Sequence, residues 1–271
     1  MSDTPANIEI PQEALERLRA ARGIFALTGA GVSAESGIPT FRAPGTGLWS
    51  RYDLREVATP EAWQNNPSLV WSWYSLRRKA ARRAPPNPAH LALAQLERRA
   101  QDYTLATQNV DGLHQRAGSS NVAELHGSLF RFRCAREGNV VTWEDPEDDN
   151  PETLERLERG ELTEPPPCPD CGASLRPDIV WFGESLPRPP FEVAANAAQG
   201  CDVCLVIGTS ALVQPAASLP LLALRKGAYL IEINPEATEL TPYTGWSARE
   251  RAGVALPALL RALDMSADVE M

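Results

Sequence analysis

A short apolar run followed by a glycine turn is the sequence feature that most limits what this chain can fold into. Residues 24–28 have the length of a buried strand, and Gly29-Ala30-Gly31-Val32-Ser33-Ala34 follows directly. The turn fits the pattern G-x-G-x-x-G/A, whose glycines let the backbone approach a pyrophosphate at a helix N-terminus. A glycine-rich turn after a strand is often only a turn, so the pattern alone indicates a strand–turn–helix unit and leaves a dinucleotide site open.

Strands and helices alternate along the rest of the chain. Apolar spacing predicts helices over residues 12–22, 60–83, 88–100 and 254–264. Short β-rich runs predict strands over residues 103–106, 203–207 and 229–233. Residues 136–167 end in three prolines and are predicted to be mostly loop. The alternation predicts an α/β fold with a parallel sheet, whose carboxyl edge is where ligands bind.

Charge and hydropathy exclude several classes of function. The chain has 26 Lys and Arg against 35 Asp and Glu, and residues 144–164 hold ten of the acids with two arginines. Residues 77–83 are the only dense basic run, so no basic stripe indicates a nucleic-acid partner. No apolar run reaches the ~18 residues of a membrane span, and the polar N-terminus does not resemble a signal peptide. Five cysteines, an odd number, favour a reducing compartment, and we expect the protein to be cytoplasmic.

A dehydrogenase is disfavoured among dinucleotide-binding proteins. Its site needs an acidic residue about 20 positions after the glycine turn, at the end of a second strand. Residues 48–53 occupy that part of the chain and do not resemble a strand.

Six motifs in order resemble those of the sirtuins, which are NAD-consuming protein lysine deacylases. They are GAGVSAESGIPTFR (29–42), TQNVDGLH (107–114), ELHGSLF (124–130), CPDCG (168–172), RPDIVWFGE (176–184) and GTS (208–210). The resemblance spans residues 23 to about 260. It implies a Rossmann-like sheet with helices on both faces, plus a smaller domain made of a helical insertion and a zinc-binding module.

The resemblance also implies a division of the chain. Residues 1–11 would be an N-terminal extension, residues 12–265 the catalytic domain and residues 266–271 a tail. Within the catalytic domain, the large part would comprise about 12–40, 88–126 and 186–265. The insertions of the smaller domain would be about 41–87 and 127–185.

The same resemblance assigns NAD-binding roles to residues of several motifs. The phosphates, the nicotinamide ribose and the nicotinamide would contact Gly29, Ala30, Gly31, Ala34, Phe41, Arg42, Trp49, Gln108, Asn109, Val110 and Asp111. The adenosine half would contact Gly208, Thr209, Ser210, Asn234, Pro235, Glu236 and Ala252. Asn234 and Glu236 would supply the polar ribose contacts that are missing after the glycine turn.

His126 matches the catalytic base of the family, and imidazole is a suitable base near neutral pH. His90 and His114 are interpreted as structural. In the implied reaction the acyl oxygen of the substrate attacks the nicotinamide ribose, and nicotinamide leaves from the pocket of Asn109 and Asp111. His126 then takes a ribose hydroxyl proton, and water completes the transfer to give free lysine and O-acyl-ADP-ribose.

Tyr74 and Arg77 indicate which acyl group is read. They are three residues apart on a predicted helix and so share one face. The chain is similar to the sirtuin subgroup in which such a Tyr-x-x-Arg pair binds an acyl carboxylate, which implies succinyl-, malonyl- or glutaryl-lysine. By similarity, the substrate peptide would add as a strand beside Val180, Trp181, Phe182 and Gly183, and near residues 211–213.

The cysteines present half of a conventional zinc site. Cys168 and Cys171 form a C-x-x-C pair, whereas the upstream partner, Cys134, is followed three positions later by Glu137. Zinc could be held by Cys134, Cys168 and Cys171 with Glu137, another side chain or water as fourth ligand, or be absent. The second C-x-x-C pair, Cys201 and Cys204, opens an apolar strand and is interpreted as core.

Two other functions stay open on the sequence. One is ADP-ribosyl transfer to a protein, which begins with the same cleavage of NAD. The other is a non-catalytic NAD-binding or zinc-stabilised interaction module, which would not need His126, Asn109 and Asp111 together.

Overall fold

The computed structural model describes residues 8–38, 52–144 and 150–265. Its strands, in chain order, are β1 (Gly23–Thr28), β2 (Asp102–Thr107), β3 (Val122–Glu124), β4 (Gly127–Cys134), β5 (Val140–Val141), β6 (Leu175–Ile179), β7 (Val203–Ile207), β8 (Tyr229–Ile233) and β9 (Trp246–Ala248). Its α-helices are α1 (Gln12–Ala20), α2 (Leu54–Val57), α3 (Pro60–Asn65), α4 (Pro67–Arg83), α5 (Pro88–Arg99), α6 (Leu113–Arg116), α7 (Pro151–Glu158), α8 (Arg188–Gly200), α9 (Leu219–Arg225) and α10 (Ala252–Met265). A 3₁₀ helix, Ala30–Ser36, follows the first glycine turn.

Six of these strands form one parallel sheet in the order β3-β2-β1-β7-β8-β9. The chain fills one side of β1 first and then returns to fill the other, so the direction of winding reverses between β1 and β7. In open α/β sheets a ligand crevice lies at such a reversal, outside the carboxyl ends of the strands. The predicted Rossmann-like α/β fold is confirmed.

The two faces of the large sheet are buried under separate groups of helices. Side chains of β1 alternate between the faces, with Ile24 and Ala26 on one and Phe25 and Leu27 on the other. The first face packs against α1, α5 and α10, and the second packs against α8 and α9. Every residue of β1 after Gly23 is buried, so residues 24–27 are all apolar instead of alternating with polar residues, as a sheet covered on both sides requires.

A second, antiparallel sheet of three strands, ordered β5-β4-β6, lies between the helical insertion and the cysteine motifs. Its apolar side chains join those of α4 in two further buried clusters around Trp71, Trp73, Phe132 and Trp181. Helices of the described part of the chain are too short or too polar to cross a membrane. The boundaries of the predicted domains stay a prediction.

Two predicted elements differ in the structure. The single helix expected over residues 60–83 is divided at Asn66, which leaves helical geometry with φ −150°. Its side chain accepts a hydrogen bond from the N–H of Leu69 at 3.0 Å and so begins α4, with Pro67 at the first helical position. The expected loop 136–167 contains β5 and also α7, which Asn150 caps and which buries Leu157. The sequence did not predict this short amphipathic helix, because the segment is dominated by acidic residues.

Glycines allow the turns after β1 and β7 to touch, backbone against backbone. The N–H of Gly31 donates to the carbonyl of Gly208 at 2.8 Å, and Gly208 has φ +59°. A Cβ atom on Gly208 would lie 2.5 Å from the backbone nitrogen of Val32. Gly208 is therefore required both for its left-handed conformation and for the close approach.

We predict that Gly208→Ala costs about 2–5 kcal/mol of unfolding free energy, the sum of a left-handed residue and an overpacked contact. Gly227→Ala is the matched control, because Gly227 also has positive φ but a Cβ there would meet nothing within 4 Å. It should cost only about 1–2 kcal/mol. Urea unfolding of both variants measures the difference, and equal costs would contradict the role of close approach.

Candidate active site

Loops that follow β1, β2 and β7 meet at the carboxyl edge of the large sheet and form one wall of a deep cleft. The smaller sheet and α4 form the other wall. The cleft brings together many of the predicted site residues, namely Ala30, Tyr74, Arg77, Gln108, Asn109, Val110, Asp111, His126, Val180, Trp181, Phe182 and Gly183.

Ser33 connects the two polar residues that follow β2. Its hydroxyl donates to Asp111 Oδ2 at 2.8 Å and accepts from Asn109 Nδ2 at 3.1 Å. The other Nδ2 hydrogen of Asn109 reaches the carbonyl of Gly29 at 3.1 Å. Since both amide hydrogens are used, Asn109 Oδ1 is the atom with which this side chain can meet a ligand in the cleft.

Two buried histidines stand behind this network. His90 Nδ1 accepts the N–H of Asn87 at 3.3 Å, so the neutral ring carries its proton on Nε2, which lies 3.4 Å from the Ser33 hydroxyl. His114 packs against His90 with ring centroids 4.8 Å apart, and its Nε2 lies 2.9 Å from Thr28 Oγ1. Burial, assisted by His90, lowers the pKa of His114 to about 3. Burial also lowers the pKa of His90 to about 4, so both rings are neutral at pH 7, and their structural role stays a prediction.

His126 presents one basic nitrogen to the cleft. Its Nδ1 is 3.0 Å from the carbonyl of Gln108, and because a carbonyl only accepts, Nδ1 carries the proton and Nε2 is the free base. Burial lowers the pKa of His126 below its usual 6.5, and the hydrogen bond to Gln108 partly opposes this. The ring is therefore neutral at pH 7 and able to accept a proton.

Tyr74 and Arg77 lie in the cleft wall formed by α4, and both are buried. The Arg77 guanidinium lies 4.7 Å from the ring centroid of Trp73 and 5.4 Å from that of Tyr74. Burial lowers the pKa of Arg77 from its usual 12.5, while Tyr74 and Asp111 favour the charged form. An arginine still carries its charge at neutral pH, so this pair offers a cation and a hydroxyl inside a mainly apolar wall.

Trp181 is buried in the cleft wall between Arg176 and Trp63. The guanidinium of Arg176 lies 3.4 Å from its ring centroid, and Trp63 packs against it with centroids 5.7 Å apart. Glu184 joins the two residues, because it accepts from Arg176 Nη1 at 2.7 Å and from the N–H of Trp181 at 2.8 Å. Next to it Phe182 is 55% exposed, which leaves an apolar surface at the entrance.

The backbone of residues 180–182 is partly used inside the protein. The N–H groups of Val180 and Phe182 donate to the carbonyls of His126 and Ala58, both at 3.0 Å. The N–H of Trp181 donates to Glu184. A peptide strand added here would therefore have to pair with the carbonyl groups or with Gly183.

The loop after β8 carries the residues predicted for the adenosine half. Asn234 Nδ2 donates to the carbonyl of Thr209 at 3.3 Å, and Thr209 Oγ1 accepts from Gln108 Nε2 at 2.9 Å. Glu236 and Pro235 are exposed on this loop, and Ser210 is half-buried. Ala252 begins α10, where the next N–H, that of Gly253, donates to Glu35 at 2.7 Å.

A buried carboxylate holds the same loop. Glu232 accepts from Thr238, from Thr241 and Ser247 at 2.8 Å, and from Arg249 at 3.0 Å. Arg249 in turn donates to the carbonyl of Glu236 at 2.8 Å. Glu232, which lies within β8, therefore helps to position the loop that follows this strand.

Other predicted residues lie away from the cleft lining or outside the description. Ala34 is exposed on the 3₁₀ helix, while Gly29 and Gly31 pack against the turn after β7. Phe41, Arg42 and Trp49 lie outside the described residues.

Three cysteines meet beside the smaller sheet. The Sγ atoms of Cys134, Cys168 and Cys171 all lie within 4.8 Å of one another, and those of Cys134 and Cys171 are 3.4 Å apart. Tetrahedral zinc with Zn–S bonds of about 2.3 Å needs sulfurs at about this spacing, so the cluster could bind zinc. Cys201 and Cys204 are buried in the core of the large sheet, where burial raises the pKa of both thiols.

Comparison with known proteins agrees with this geometry. A family model described as "Sir2 family" matches residues 29–215. The chain belongs to the Sir2 family. It is 48% identical to an NAD-dependent protein deacylase of Methylococcus capsulatus, over 96% of this chain and 99% of the relative. It is also 48% identical to the NAD-dependent protein deacylase of Thermus thermophilus, over 92% of this chain and 93% of the relative.

Solved structures of Sir2 homologues have the same fold as this Sir2-family protein. A Sir2 homologue in complex with NAD superimposes with a TM-score of 0.85 at 44% identity, over 96% of both chains. A mutant Sir2 homologue in complex with ADP-ribose gives a TM-score of 0.85 at 43% identity, over 97% of this chain and 100% of the other.

Sequence reasoning missed two positioning groups of this Sir2-family protein. Ser33 lies within the first motif but had no assigned role, because its link to Asn109 and Asp111 joins residues more than 70 positions apart. Glu232 gave a signal that could have been used. It is a charged residue in the middle of the buried strand β8, and such a residue needs several donors around it.

We predict that His114 makes this Sir2-family protein sensitive to mild acid. Its folded pKa lies below the unfolded value of about 6.5, so the unfolded chain binds more protons below that pH. Stability should therefore fall as pH decreases from about 6.5. In His114→Gln, which keeps a donor for Thr28, the slope between pH 6.5 and 4.5 should be smaller by up to about 1 kcal/mol per pH unit. Urea unfolding at several pH values measures this, and identical slopes would contradict it.

Proposed function

We propose that this Sir2-family protein is an NAD-dependent protein-lysine deacylase that prefers acyl groups ending in a carboxylate. The preferred groups are succinyl, malonyl and glutaryl, and acetyl is a poorer substrate. One observation carries the preference: Tyr74 and Arg77 line the same cleft as His126, Asn109 and Asp111. The enzyme class is supported by relatives named NAD-dependent protein deacylase at 48% identity over most of the chain.

NAD would bind across the reversal between β1 and β7 and would supply the ribose carbon that the acyl oxygen attacks as the bond to nicotinamide breaks. The glycine turn of residues 29–34 would hold its phosphates, and residues 208–210 with the loop of Asn234, Pro235 and Glu236 would hold its adenosine half. This assignment is supported by the two turns that meet at the reversal and by the polar atoms of Thr209 and Asn234 there. Phe41, Arg42, Trp49 and Ala252 complete the proposed NAD site.

Asn109 and Asp111 hold the nicotinamide end. Ser33 and the carbonyl of Gly29 occupy both amide hydrogens of Asn109, so its Oδ1 faces the ligand in one orientation. Asp111 accepts from Ser33 and from the N–H of Leu113 at 3.0 Å, which fixes its carboxylate. A preorganised pocket of this kind binds without the cost of ordering its own side chains.

His126 is the proposed general base. Its Nε2 accepts the proton of a ribose hydroxyl, and Nδ1–H keeps the ring orientated through Gln108. The charge gained on proton transfer lies in a partly buried site, and the Gln108 carbonyl stabilises it.

Arg77 and Tyr74 are proposed to bind the distal carboxylate of the acyl group. A guanidinium can donate two parallel hydrogen bonds to a carboxylate, and the adjacent hydroxyl can add a third. The cavity between them and His126 has apolar walls that include Ala58, Ala81 and Leu129, which suit the methylene chain of the acyl group. An acetyl group has no distal carboxylate and so could not accept these hydrogen bonds from Arg77 and Tyr74.

The acyl-lysine peptide enters beside Phe182 and the exposed side chains of Leu212 and Val213. Main-chain pairing of such a peptide is tolerant of sequence, so many acylated proteins would be substrates. Zinc held by Cys134, Cys168 and Cys171 would brace the smaller sheet and take no part in the reaction. We propose a reducing location, the cytoplasm, because the chain has an odd number of cysteines, five, which does not suit a full disulfide framework.

The first test compares two peptides that differ only in an acetylated or succinylated lysine. Loss of one charged hydrogen-bond partner costs about 1.5–3 kcal/mol. Arg77→Met should therefore lower the ratio of succinyl to acetyl kcat/KM by about 10- to 100-fold. Product masses and released nicotinamide are measured for both peptides. Arg83→Met is the matched control, because Arg83 is exposed on the same helix.

Several outcomes would contradict the proposal. A wild-type preference for acetyl would return Tyr74 and Arg77 to a structural role. Nicotinamide release with an ADP-ribose mass added to a protein would favour the transferase, and no release at all would favour a binding module. Tyr74→Phe, which removes one hydroxyl, keeps the test available if Arg77→Met fails to fold.

We predict that kcat/KM has an acid limb below pH 6.5, because burial lowers the pKa of His126 and only the neutral ring accepts a proton. A limb caused by His126 should appear with both peptides. A limb caused by the substrate carboxylate would appear with the succinyl peptide only. Rate profiles from pH 5 to 8, with folding checked at each pH, measure it. A limb at or above pH 6.5 would exclude His126 as the titrating base.

A further inference from the structure

Two turns beside the smaller sheet have the same pattern of backbone hydrogen bonds and the same glycine conformation. The first knuckle is residues 134–138 (Cys-Ala-Arg-Glu-Gly), and the second knuckle is residues 168–172 (Cys-Pro-Asp-Cys-Gly). In each, the glycine N–H donates to the carbonyl of the first cysteine, at 2.9 Å for Gly138 and 2.8 Å for Gly172. The two glycines have φ values of +74° and +73°.

A second hydrogen bond repeats in the same way. The N–H of Cys134 donates to the carbonyl of Asn139 at 3.0 Å, and the N–H of Cys168 donates to that of Ala173 at 2.5 Å. Both first cysteines are buried. Position for position, residue 137 in the first knuckle therefore corresponds to Cys171 in the second, and Cys171 belongs to the thiol cluster.

We propose that the carboxylate of Glu137 is the fourth ligand of a zinc ion bound by Cys134, Cys168 and Cys171. The equivalence of the knuckles places the Cα of Glu137 where a fourth cysteine would be. The backbone N–H of Glu137 donates to Cys134 Sγ at 3.4 Å, so the residue is already connected to the cluster. Its side chain is exposed and its carboxylate lies outside the group of three sulfurs, so it turns inward when the metal binds.

The chemistry of the ligand set favours a carboxylate over water. Zinc accepts Asp or Glu oxygen at about 2.0–2.2 Å in the same tetrahedral arrangement as thiolates. Three thiolates and one carboxylate have the same formal charge as four thiolates, whereas a water ligand would leave the site with one negative charge fewer. Glutamate also adds two rotatable bonds, which let its oxygen reach the ion from the position of a shorter cysteine.

The test measures metal affinity on the full chain, not activity. Protein stripped of metal is titrated with Zn²⁺ against a chromophoric chelator, and with Co²⁺, whose thiolate charge-transfer absorption increases with the number of sulfur ligands. Glu137→Ala should weaken Zn²⁺ binding by at least about tenfold, the lower end of what losing even an outer-shell partner costs. Asp170→Ala is the matched control, because Asp170 is an exposed carboxylate inside the second knuckle. It should leave the affinity unchanged.

Glu137→Cys should raise the Co²⁺ charge-transfer absorption by about one third, as a fourth thiolate joins the three.

Unchanged affinity and spectrum in Glu137→Ala would assign the fourth position to water and overturn the proposal. Weakening by Asp170→Ala alone would assign it to the other knuckle, and no binding by the wild type would exclude the site. If metal-free protein does not refold, the rate of zinc release from protein purified with its metal gives the same ranking. These readouts do not depend on the proposed acyl preference.

Discussion

The contact between the glycine turns after β1 and β7 is the constraint on which the rest of the structure depends. These strands lie side by side where the winding of the sheet reverses, and the N–H groups of Gly29 and Gly31 donate to the carbonyls of Ile207 and Gly208. Any side chain at Gly31 or Gly208 would separate the two turns. Because the two turns touch, the loops that carry Ser33, Gln108 and Thr209 lie next to one another at the carboxyl edge of the sheet.

Polar side chains at this edge are ordered by partners that come from distant parts of the chain. Ser33 connects Asn109 with Asp111, and Gln108 joins the β2 loop to Thr209. Glu232 does the same for the loop after β8 through Arg249 and two threonines. Because these groups are largely removed from water, each needs its full set of partners, and this requirement keeps the site in one geometry before any ligand arrives.

The smaller sheet connects the thiol cluster with the cleft. Strands β4 and β6 run antiparallel, and Cys134 pairs with Leu175 at one end while Gly127 pairs with Ile179 at the other. At that second end His126 precedes β4 and Val180 follows β6, and Val180 donates to the His126 carbonyl. A metal bound at the thiol cluster would therefore also limit movement at the His126 end, about 13 Å away along the four residue steps of β6.

Periodicity was sufficient to predict β1, β2, β7 and β8 of the large sheet and the α/β fold, because these depend on neighbours in the chain, whereas the short edge strands β3 and β9 were not predicted. The polar residues after β2 were assigned by the family resemblance of their motif. The division of α3 from α4 at Asn66 and the presence of α7 were not predicted, since a capping side chain and a single buried face decided them. The pairing of Ser33 with Asp111 and the support of Trp181 by Arg176 were decided only by the tertiary structure. Glu137 was a candidate ligand from its spacing after Cys134, but the matching backbone turns around Glu137 and Cys171 are a result of the fold alone. Ser33 and Asp111 are 78 positions apart in the sequence. Arg176 and Trp181 are close in the sequence, but only packing in three dimensions places the guanidinium over the indole ring, and only the folded backbone repeats one turn in two places.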